Sequence, residues 1–237
     1  MPKGESDIFA KIDWKAVEYD MHAKGYSTVS GVLPDSVCDE FIANYSRSNY
    51  RKTVVMERHR FGIGEYKYFD DPLPAFVQKA REEIYPKLAP IANEWSLRLG
   101  TNDRFPPSFK ELHERCGGAG QTKPTPLILK YGKGGYNTLH QDLYGEIYFP
   151  MQLAFFLNEP DRDYTGGEFV LTQQVPRSQS KAIVLRPRQG DMIVFTTNGR
   201  PVKGSRGYYR AAMRHGVSEV LSGERHTLGV IFHDATS

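Results

Sequence analysis

The sequence contains few cysteines and no long hydrophobic run. Only two of its 237 residues are cysteines, Cys38 and Cys116, so no disulfide framework is expected and a cytoplasmic, reducing location is predicted. No stretch approaches the ~18 consecutive apolar residues that a membrane span needs, so no membrane association is expected. The opening stretch MPKGESDIFAKIDW has no apolar core after Lys3, and it therefore predicts no secretory signal.

The sequence also lacks internal repeats, low-complexity linkers and a strong net charge. Lys and Arg total 31 against 28 for Asp and Glu, so the net charge of +3 identifies no partner. The charge is unevenly distributed, because nine basic residues and a single acid, Asp191, lie between Arg177 and Arg214. Such a region either binds a polyanion or forms solvated loops that are balanced by acids elsewhere.

The first half of the chain is predicted to be mainly helical. Its signals are a helix over 13–24 that stops at Gly25, a strand in YSTVSGVLP, a helix that starts near Pro34, and a long helical segment over about 75–99. Pro86 and Pro90 are expected to kink or divide the long segment. Between these helices, residues 47–69 interleave basic and aromatic residues, which favours either a substrate lid or a structural hairpin.

From Thr125 onward the sequence is typical of a β structure. Eight short runs rich in β-branched and aromatic residues are separated by Gly, Pro, Asn and Asp: PLILKYG, YNTLH, YFPMQLAFFLN, GEFVLTQQV, KAIVLRP, DMIVFTT, YRAAMRHGVSEV and ERHTLGVIFH. Strands in this number, without helices between them, predict a closed sandwich or jelly roll. We therefore expect an α+β, mainly β fold with one domain over 1–237. Residues 1–124 would form a helical buttress and 125–237 the jelly-roll core.

The stretch NTLHQDLYGE contains the strongest candidate for a metal site. His140 and Asp142 are two residues apart, and side chains at that spacing on a strand share a face. Either a divalent metal or a buried hydrogen bond would hold such a pair together. If a metal does, His215 in MRHGVSEV is the expected third ligand, because a jelly roll can bring it opposite. Two imidazoles and one carboxylate form the facial triad of non-haem Fe(II) oxygenases, which leaves positions open for substrate and O₂.

A second candidate site lies ten residues after His215, in SGERHTLGV. Arg225 and Thr227 are again two residues apart, so their side chains are expected on one face of a strand. A guanidinium is a planar fork that suits bidentate binding of a carboxylate. An isolated arginine here would be an ordinary surface residue, but its place one strand beyond His215 favours an anchor for a dicarboxylate co-substrate.

The other histidines have no partners at ligand spacing in the sequence. They are expected to be surface or core residues, and they are His22, His59, His113, His226 and His233. His226 should point away from Arg225, because adjacent residues on a strand face opposite sides.

Taken together, these motifs resemble those of the Fe(II)/2-oxoglutarate-dependent dioxygenases over about 127–234. GGEF, GDMIVF and the spacing from His215 to Arg225 resemble the prolyl-hydroxylase branch. LILKYGKGGYNTLHQD is similar to the AlkB-type demethylases, in which a tyrosine in the position of Tyr131 hydrogen-bonds 2-oxoglutarate. Over its whole length the chain resembles a bacterial group of these oxygenases described as acting on damaged DNA.

The resemblance implies a cofactor, two co-substrates and a role for each candidate residue. His140, Asp142 and His215 would bind Fe(II), while Arg225, helped by Thr227 and Tyr131, would bind 2-oxoglutarate. O₂ would be the second co-substrate, and hydroxylation would accompany decarboxylation of 2-oxoglutarate to succinate and CO₂. The protein's part in such a reaction is to orient the reactants and protect itself from the oxidant.

The resemblance leaves the substrate open. A DNA substrate would be dealkylated oxidatively, with phosphate contacts supplied by the basic region between Arg177 and Arg214. Two departures from the AlkB pattern weaken that interpretation, because Ile231 replaces a second arginine and Tyr144 replaces an acid. The alternatives are prolyl-type hydroxylation of a peptide or small molecule, and a non-catalytic jelly-roll binding module.

Overall fold

A computed structural model describes residues 8–237. The opening stretch MPKGESDIFAKIDW, from which no secretory signal was predicted, lies partly outside the described residues. The described residues form four α-helices: α1 Trp14–Lys24, α2 Asp35–Ala43, α3 Ala75–Leu99 and α4 Phe109–Gly118. None of these helices is long and apolar enough to cross a membrane.

The helices predicted for the first half are present, and their predicted ends agree with the structure. Asp13 caps α1, since its Oδ1 accepts hydrogen bonds from the first-turn backbone, and Gly25 ends it with a φ of 81°. Helix α3 continues through Pro86 and Pro90 instead of dividing at them. Helix α4 was not predicted, although Ser108 accepts a hydrogen bond from the Glu111 N–H as an ordinary N-cap.

Fifteen strands form among the described residues. They are β1 Tyr26–Val29, β2 Tyr50–Val55, β3 Gly62–Ile63, β4 Glu65–Phe69, β5 Leu127–Tyr131, β6 Tyr136–His140, β7 Met151–Phe156, β8 Tyr164–Gly166, β9 Phe169–Gln174, β10 Lys181–Leu185, β11 Met192–Thr196, β12 Gly199–Gly204, β13 Gly207–Val217, β14 Val220–Gly223 and β15 Arg225–Ile231. All eight strands predicted from Thr125 onward are present, and this half of the chain has three more, β8, β12 and β14.

The strands form two main sheets. The major sheet has the order β1-β11-β7-β15-β5-β4-β2, and the minor sheet has the order β10-β9-β13-β6-β3 with β12 paired to β13. Strands β14 and β8 form a separate two-stranded sheet. The predicted mainly β jelly-roll fold is therefore confirmed. Since β1, β2 and β4 extend the major sheet, the first half of the chain contributes strands as well as helices. The proposed division at 124/125 stays a prediction.

Alternation along β7 shows how the layers pack. Met151, Leu153 and Phe155 face the helices, where they join the large core that includes α1 and α3. Ala154 and Phe156 face the minor sheet and pack with residues of β9 and β13. Both faces of β7 are thus covered, which explains why all six of its residues are buried. Gln152 is the single polar residue on the inward-facing side.

Candidate active site

The minor sheet and the loop after β6 bring the three predicted metal ligands together. The register of the minor sheet pairs His215 on β13 with His140 at the end of β6, and the ring centroids lie 4.2 Å apart. Asp142 lies two residues past the end of β6, in a loop and not on the strand as predicted. Its Oδ1 is 3.6 Å from His140 Nε2 and its Oδ2 is 3.3 Å from His215 Nε2.

The hydrogen bonds of this cluster suit a metal ion. His140 Nδ1 lies 2.7 Å from the Thr138 carbonyl; because a carbonyl only accepts, Nδ1 carries the proton and Nε2 keeps its lone pair. The candidate ligand atoms of His140, Asp142 and His215 all lie within 4.8 Å of one another. Bonds from imidazole and carboxylate to zinc, a comparable ion, are about 2.0–2.2 Å long, so a single ion can bridge the 3.6 and 3.3 Å that separate the Asp142 oxygens from the two Nε2 atoms.

The carboxylate of Asp142 is supported by two neutral side chains. Tyr144 donates its hydroxyl to Oδ1 at 3.1 Å, and Gln152 donates its amide to Oδ2 at 2.9 Å. Burial alone would raise the pKa of Asp142, but His215, His140 and Gln152 together hold it below its usual value. Burial and His140 lower the pKa of His215. An ionised carboxylate beside a neutral imidazole is the protonation state that metal binding requires.

Arg225 forms a second charged group in the same cavity. The side chain is 1% exposed, and its Nη1 donates to Thr227 Oγ1 at 2.7 Å. Among the described residues, its Nε and Nη2 have no hydrogen-bond partner. The guanidinium has no carboxylate partner there either; three aromatic rings surround it, those of Tyr131, Phe156 and Tyr164. A buried and unpaired cation is costly, so this arrangement favours an anionic ligand.

Tyr131 faces Arg225 across the major sheet, since the two are register partners on β5 and β15. Its hydroxyl accepts a hydrogen bond from Asn137 Nδ2 at 3.3 Å, which leaves the phenolic proton for another acceptor. Burial raises the pKa of Tyr131 to about 12, although Arg225 and the Asn137 hydrogen bond oppose the rise. Tyr131 is therefore a neutral donor at physiological pH.

One cavity of about 460 Å³ joins these groups. All six predicted site residues line it: His140, Asp142, His215, Arg225, Thr227 and Tyr131. Aromatic side chains form much of the remaining wall, and the edge of the cavity is formed by the 47–69 segment, which contributes Lys52, Val54, His59, Phe61, Tyr66 and Tyr68. That segment passes from β2 of the major sheet through β3 of the minor sheet and back to β4. It covers one side of the cavity, and its role as a lid stays a prediction.

Three residues that contact the predicted site residues were missed by the sequence analysis. Gln152 and Tyr144 bind Asp142, and Asn137 binds Tyr131. A signal for Gln152 was present, because it is the one polar residue in the strand MQLAFF. Tyr144 was noticed only as a departure from the AlkB pattern. The hydrogen bond from Asn137 depends on the path of the β5–β6 turn, which residue types alone do not specify.

Among the other histidines, His226 points away from Arg225, as predicted, and packs against Tyr45 and Asn158. His22 has acidic neighbours that the sequence spacing did not indicate. His22 on α1 lies near Glu18 and Glu94, with candidate ligand atoms within 4.8 Å of one another. Its hydrogen bonds, however, differ from those of the cavity cluster.

The nitrogens of His22 are already engaged. Trp95 Nε1 donates to Nδ1 at 3.0 Å, and an indole N–H can only donate. The imidazole proton must therefore be on Nε2, which lies 3.2 Å from Glu94 Oε2. The guanidinium of Arg98 also lies 3.1 Å from Nδ1 and binds Glu94. No nitrogen of His22 has a free lone pair for a metal, so this cluster is a hydrogen-bonded ion-pair network.

Three of the nine basic residues between Arg177 and Arg214 are engaged by the protein itself, and polyanion binding by the other six, which are exposed, stays a prediction. Arg200 is buried, and it donates to Gln173 Oε1 and to the carbonyl of His22, so it is not available to a phosphate. Arg186 and Arg188 pair with acids, Asp161 and Glu159 respectively. None of the nine is among the described residues that line the cavity.

Comparison with known proteins gives a family and a fold. The model of a family named Oxygenase-NA, described as "Oxygenase, catalysing oxidative methylation of damaged DNA", matches residues 64–235. The uncharacterized protein Rv2227 of Mycobacterium tuberculosis is 47% identical over 190 residues, which cover 78% of this chain and 82% of that protein.

Solved structures with a similar fold are much more distant in sequence. A prolyl-4-hydroxylase of Pseudomonas putida has a TM-score of 0.54 at 15% identity, with 94% of this chain and 100% of that chain covered. An oxidoreductase of the 2OG-Fe(II) oxygenase family from Burkholderia pseudomallei has a TM-score of 0.52 at 16% identity, with 96% and 95% covered. At this identity the likeness concerns the fold.

Proposed function

Because the chain belongs to the Oxygenase-NA family of oxygenases and has the fold of the 2OG-Fe(II) oxygenases, we propose that it is an Fe(II)- and 2-oxoglutarate-dependent dioxygenase that acts on damaged DNA. The observation that carries the proposal is the buried guanidinium of Arg225, which has two N–H groups without a partner among the described residues. It shares a cavity with a set of two imidazoles and one carboxylate. Membership of an oxygenase family sets aside the alternative of a non-catalytic binding module.

The residues of the cavity fit the two groups that the family implies. His140, Asp142 and His215 would hold Fe(II), and their donor set is that of the facial triad. Arg225 would bind the distal carboxylate of 2-oxoglutarate, because a guanidinium fork matches a carboxylate. When bound, iron and 2-oxoglutarate supply the oxidising chemistry that uses O₂ to hydroxylate a C–H bond and releases succinate and CO₂.

The remaining residues prepare the site for these ligands. Thr227 holds the Arg225 guanidinium in place through Nη1, and Tyr131 offers its phenolic proton to a carboxylate oxygen. Tyr144 and Gln152 fix the orientation of the Asp142 carboxylate. The aromatic wall excludes water, which strengthens the charge interactions inside the cavity.

The family description supports DNA as the substrate. An oxygenase that hydroxylates an N-methyl group makes an unstable product that loses formaldehyde, so the expected outcome is removal of a methyl group. Prolyl-type hydroxylation of a peptide or a small molecule is the alternative, and the assay below separates it from the DNA proposal.

The test is to measure succinate and formaldehyde with Fe(II), 2-oxoglutarate, O₂ and N-methylated single-stranded oligonucleotides. We expect both products in equal amounts, and neither product from Asp142→Ala or after chelation of the iron. Succinate that is stimulated by a peptide or metabolite, with no formaldehyde from any oligonucleotide, would refute the DNA substrate while keeping the dioxygenase. No succinate under any condition would refute the dioxygenase itself.

A further inference from the structure

A tight turn at the mouth of the cavity is held in a fixed shape. We call residues 56–61, MERHRF, the mouth turn; it begins as a 3-10 helix over Met56–His59 and continues through Arg60, whose φ is 60°. The Phe61 N–H donates to the Met56 carbonyl at 3.1 Å. The Phe61 carbonyl accepts two hydrogen bonds of 2.9 Å, from the backbone N–H and from the hydroxyl of Thr138. The turn is thereby attached to β6, the strand that carries His140.

Two rings of the mouth turn form an exposed aromatic pair beside the cavity. His59 and Phe61 have ring centroids 5.4 Å apart and an interplanar angle of 22°, so they stack. Both side chains line the cavity, and Phe61 is 45% exposed. Three further exposed apolar side chains lie in this region: Ile63 on β3, its register partner Tyr136 on β6, and Leu143, which lines the cavity. Exposed apolar side chains grouped in this way mark a binding surface.

The mouth turn also carries unpaired positive charge. Arg58 and Arg60 are exposed, and neither has an ion-pair partner among the described residues. Lys52 is exposed in the adjacent wall of the cavity. Glu57 is the one acid of the turn, and its Oε2 accepts a hydrogen bond from the Gly64 N–H at 3.5 Å. In the basic region, Arg186, Arg188 and Arg200 are engaged by other groups, and the exposed cations of that region do not line the cavity.

We propose that the mouth turn binds a single-stranded or extruded segment of nucleic acid; this inference rests on the proposed function. A base would stack on the His59–Phe61 pair while Arg58 and Arg60 bind the flanking phosphates. Aromatic platforms between cations are the common solution for single-stranded nucleic acid. An enzyme that modifies a base must also take that base out of the stack. The His59–Phe61 pair lies at the mouth of the cavity, where it could hold such an extruded base. An exposed apolar rim alone would serve a peptide, but the unpaired guanidiniums favour a polyanion.

The test is fluorescence anisotropy of a labelled, N-methylated single-stranded oligonucleotide on the protein loaded with Fe(II) and 2-oxoglutarate under nitrogen, over a series of salt concentrations. Arg58→Ala and Arg60→Ala should each weaken binding and lower the slope of log K against log salt by about 0.7. Phe61→Ala should weaken binding by roughly 5- to 150-fold with the slope unchanged, because stacking is not ionic. Phe61→Trp should restore binding.

Matched controls come from the basic region that the sequence first indicated. Lys203→Ala and Arg206→Ala remove exposed charges from the β12–β13 hairpin and should change neither the affinity nor the slope. If these two variants lose affinity while the mouth-turn variants bind as the wild type does, the proposed surface is wrong. The same conclusion follows if the oligonucleotide does not bind the wild type at low salt, or if a peptide and not the oligonucleotide stimulates succinate formation.

A separate measurement distinguishes failure of this inference from failure of the proposed function. Calorimetric titration of the Fe(II)-loaded wild type with 2-oxoglutarate reports on the co-substrate site alone. Binding of 2-oxoglutarate without any oligonucleotide binding overturns the mouth-turn proposal and leaves the dioxygenase standing. Absence of 2-oxoglutarate binding overturns the proposed function, and the mouth-turn inference with it.

Discussion

The molecule contains two clusters of histidine and carboxylate side chains that look alike by distance and differ in chemistry. In the cavity, His140, Asp142 and His215 come from the minor sheet and the loop after β6. Between α1 and α3, His22 lies with Glu18 and Glu94. In both clusters the candidate ligand atoms lie within 4.8 Å of one another, so proximity alone does not identify a metal site.

Hydrogen-bond partners distinguish the two clusters. In His140, Nδ1 donates its proton to a backbone carbonyl, so Nε2 has a free lone pair. In His22, Nδ1 accepts a hydrogen bond from an indole N–H, so the proton is on Nε2. The helical cluster also contains its own cation, Arg98, in contact with Glu94. The cavity cluster has no guanidinium or ammonium in contact with Asp142 among the described residues. In the helical cluster, Arg98 supplies the positive charge that the carboxylate needs. In the cavity cluster, a bound metal ion would supply it.

The largest expected effect follows from removing a ligand of the cavity cluster. His140→Ala, Asp142→Ala and His215→Ala should each reduce Fe(II)-dependent succinate formation to the background, because each ligand is needed for the geometry of an open site. His22→Ala should retain activity. Circular dichroism and the melting temperature check that the folds are intact. Full activity in one of the three cavity variants would remove that residue from the ligand set.

The next largest effect concerns Arg225, whose guanidinium has no carboxylate partner among the described residues. Arg225→Ala should raise the KM for 2-oxoglutarate by roughly 10²- to 4 × 10³-fold, since breaking a desolvated charge pair costs ~3–5 kcal/mol. Arg225→Lys keeps the positive charge but loses the planar guanidinium, so its KM for 2-oxoglutarate should lie between those of the wild type and Arg225→Ala. Steady-state kinetics with varied 2-oxoglutarate measures both. An unchanged KM in Arg225→Ala would mean that another residue anchors the co-substrate.

A smaller effect is expected from the side chains that support Asp142. Tyr144→Phe and Gln152→Leu each remove one hydrogen bond to the carboxylate, and loss of such a partner lowers metal affinity about 10- to 100-fold. Competition with a chelator measures the affinity directly. Tyr19→Phe, at an exposed tyrosine on α1, is the control and should not change it. Wild-type affinity in both variants would show that the carboxylate is held by its loop alone.

The helical cluster should affect stability and its dependence on pH. Glu94→Gln weakens a partly exposed ion pair, so a loss of at most ~1 kcal/mol is expected. Burial and Arg98 lower the pKa of His22 below 6.5. The unfolded chain therefore binds more protons than the folded chain just below pH 6.5, and His22 makes stability fall as the pH falls through that window. His22→Gln should flatten this dependence in urea unfolding at pH 7 and 5.5; a dependence as steep as in the wild type would contradict the assignment.

The sequence predicted more of the cavity cluster than of the helical one for a physical reason. Periodicity of two along strands places His140, and Arg225 with Thr227, on inward faces. The expected jelly roll indicated His215, and resemblance to a known family added Tyr131. His22 meets Glu94 across two helices of different sequence position, which no local pattern encodes. The buried state of Arg200 was hidden for the same reason, because its partners Gln173 and His22 lie on separate elements.

Whether the cavity cluster is the metal site is tested most directly by anaerobic calorimetric titration of the wild type, Asp142→Ala and Glu94→Gln with Fe(II). We expect one ion per chain in the wild type and in Glu94→Gln, and no measurable binding in Asp142→Ala. Retention of the ion in Asp142→Ala, or its loss in Glu94→Gln, would contradict the assignment of the metal to the cavity cluster.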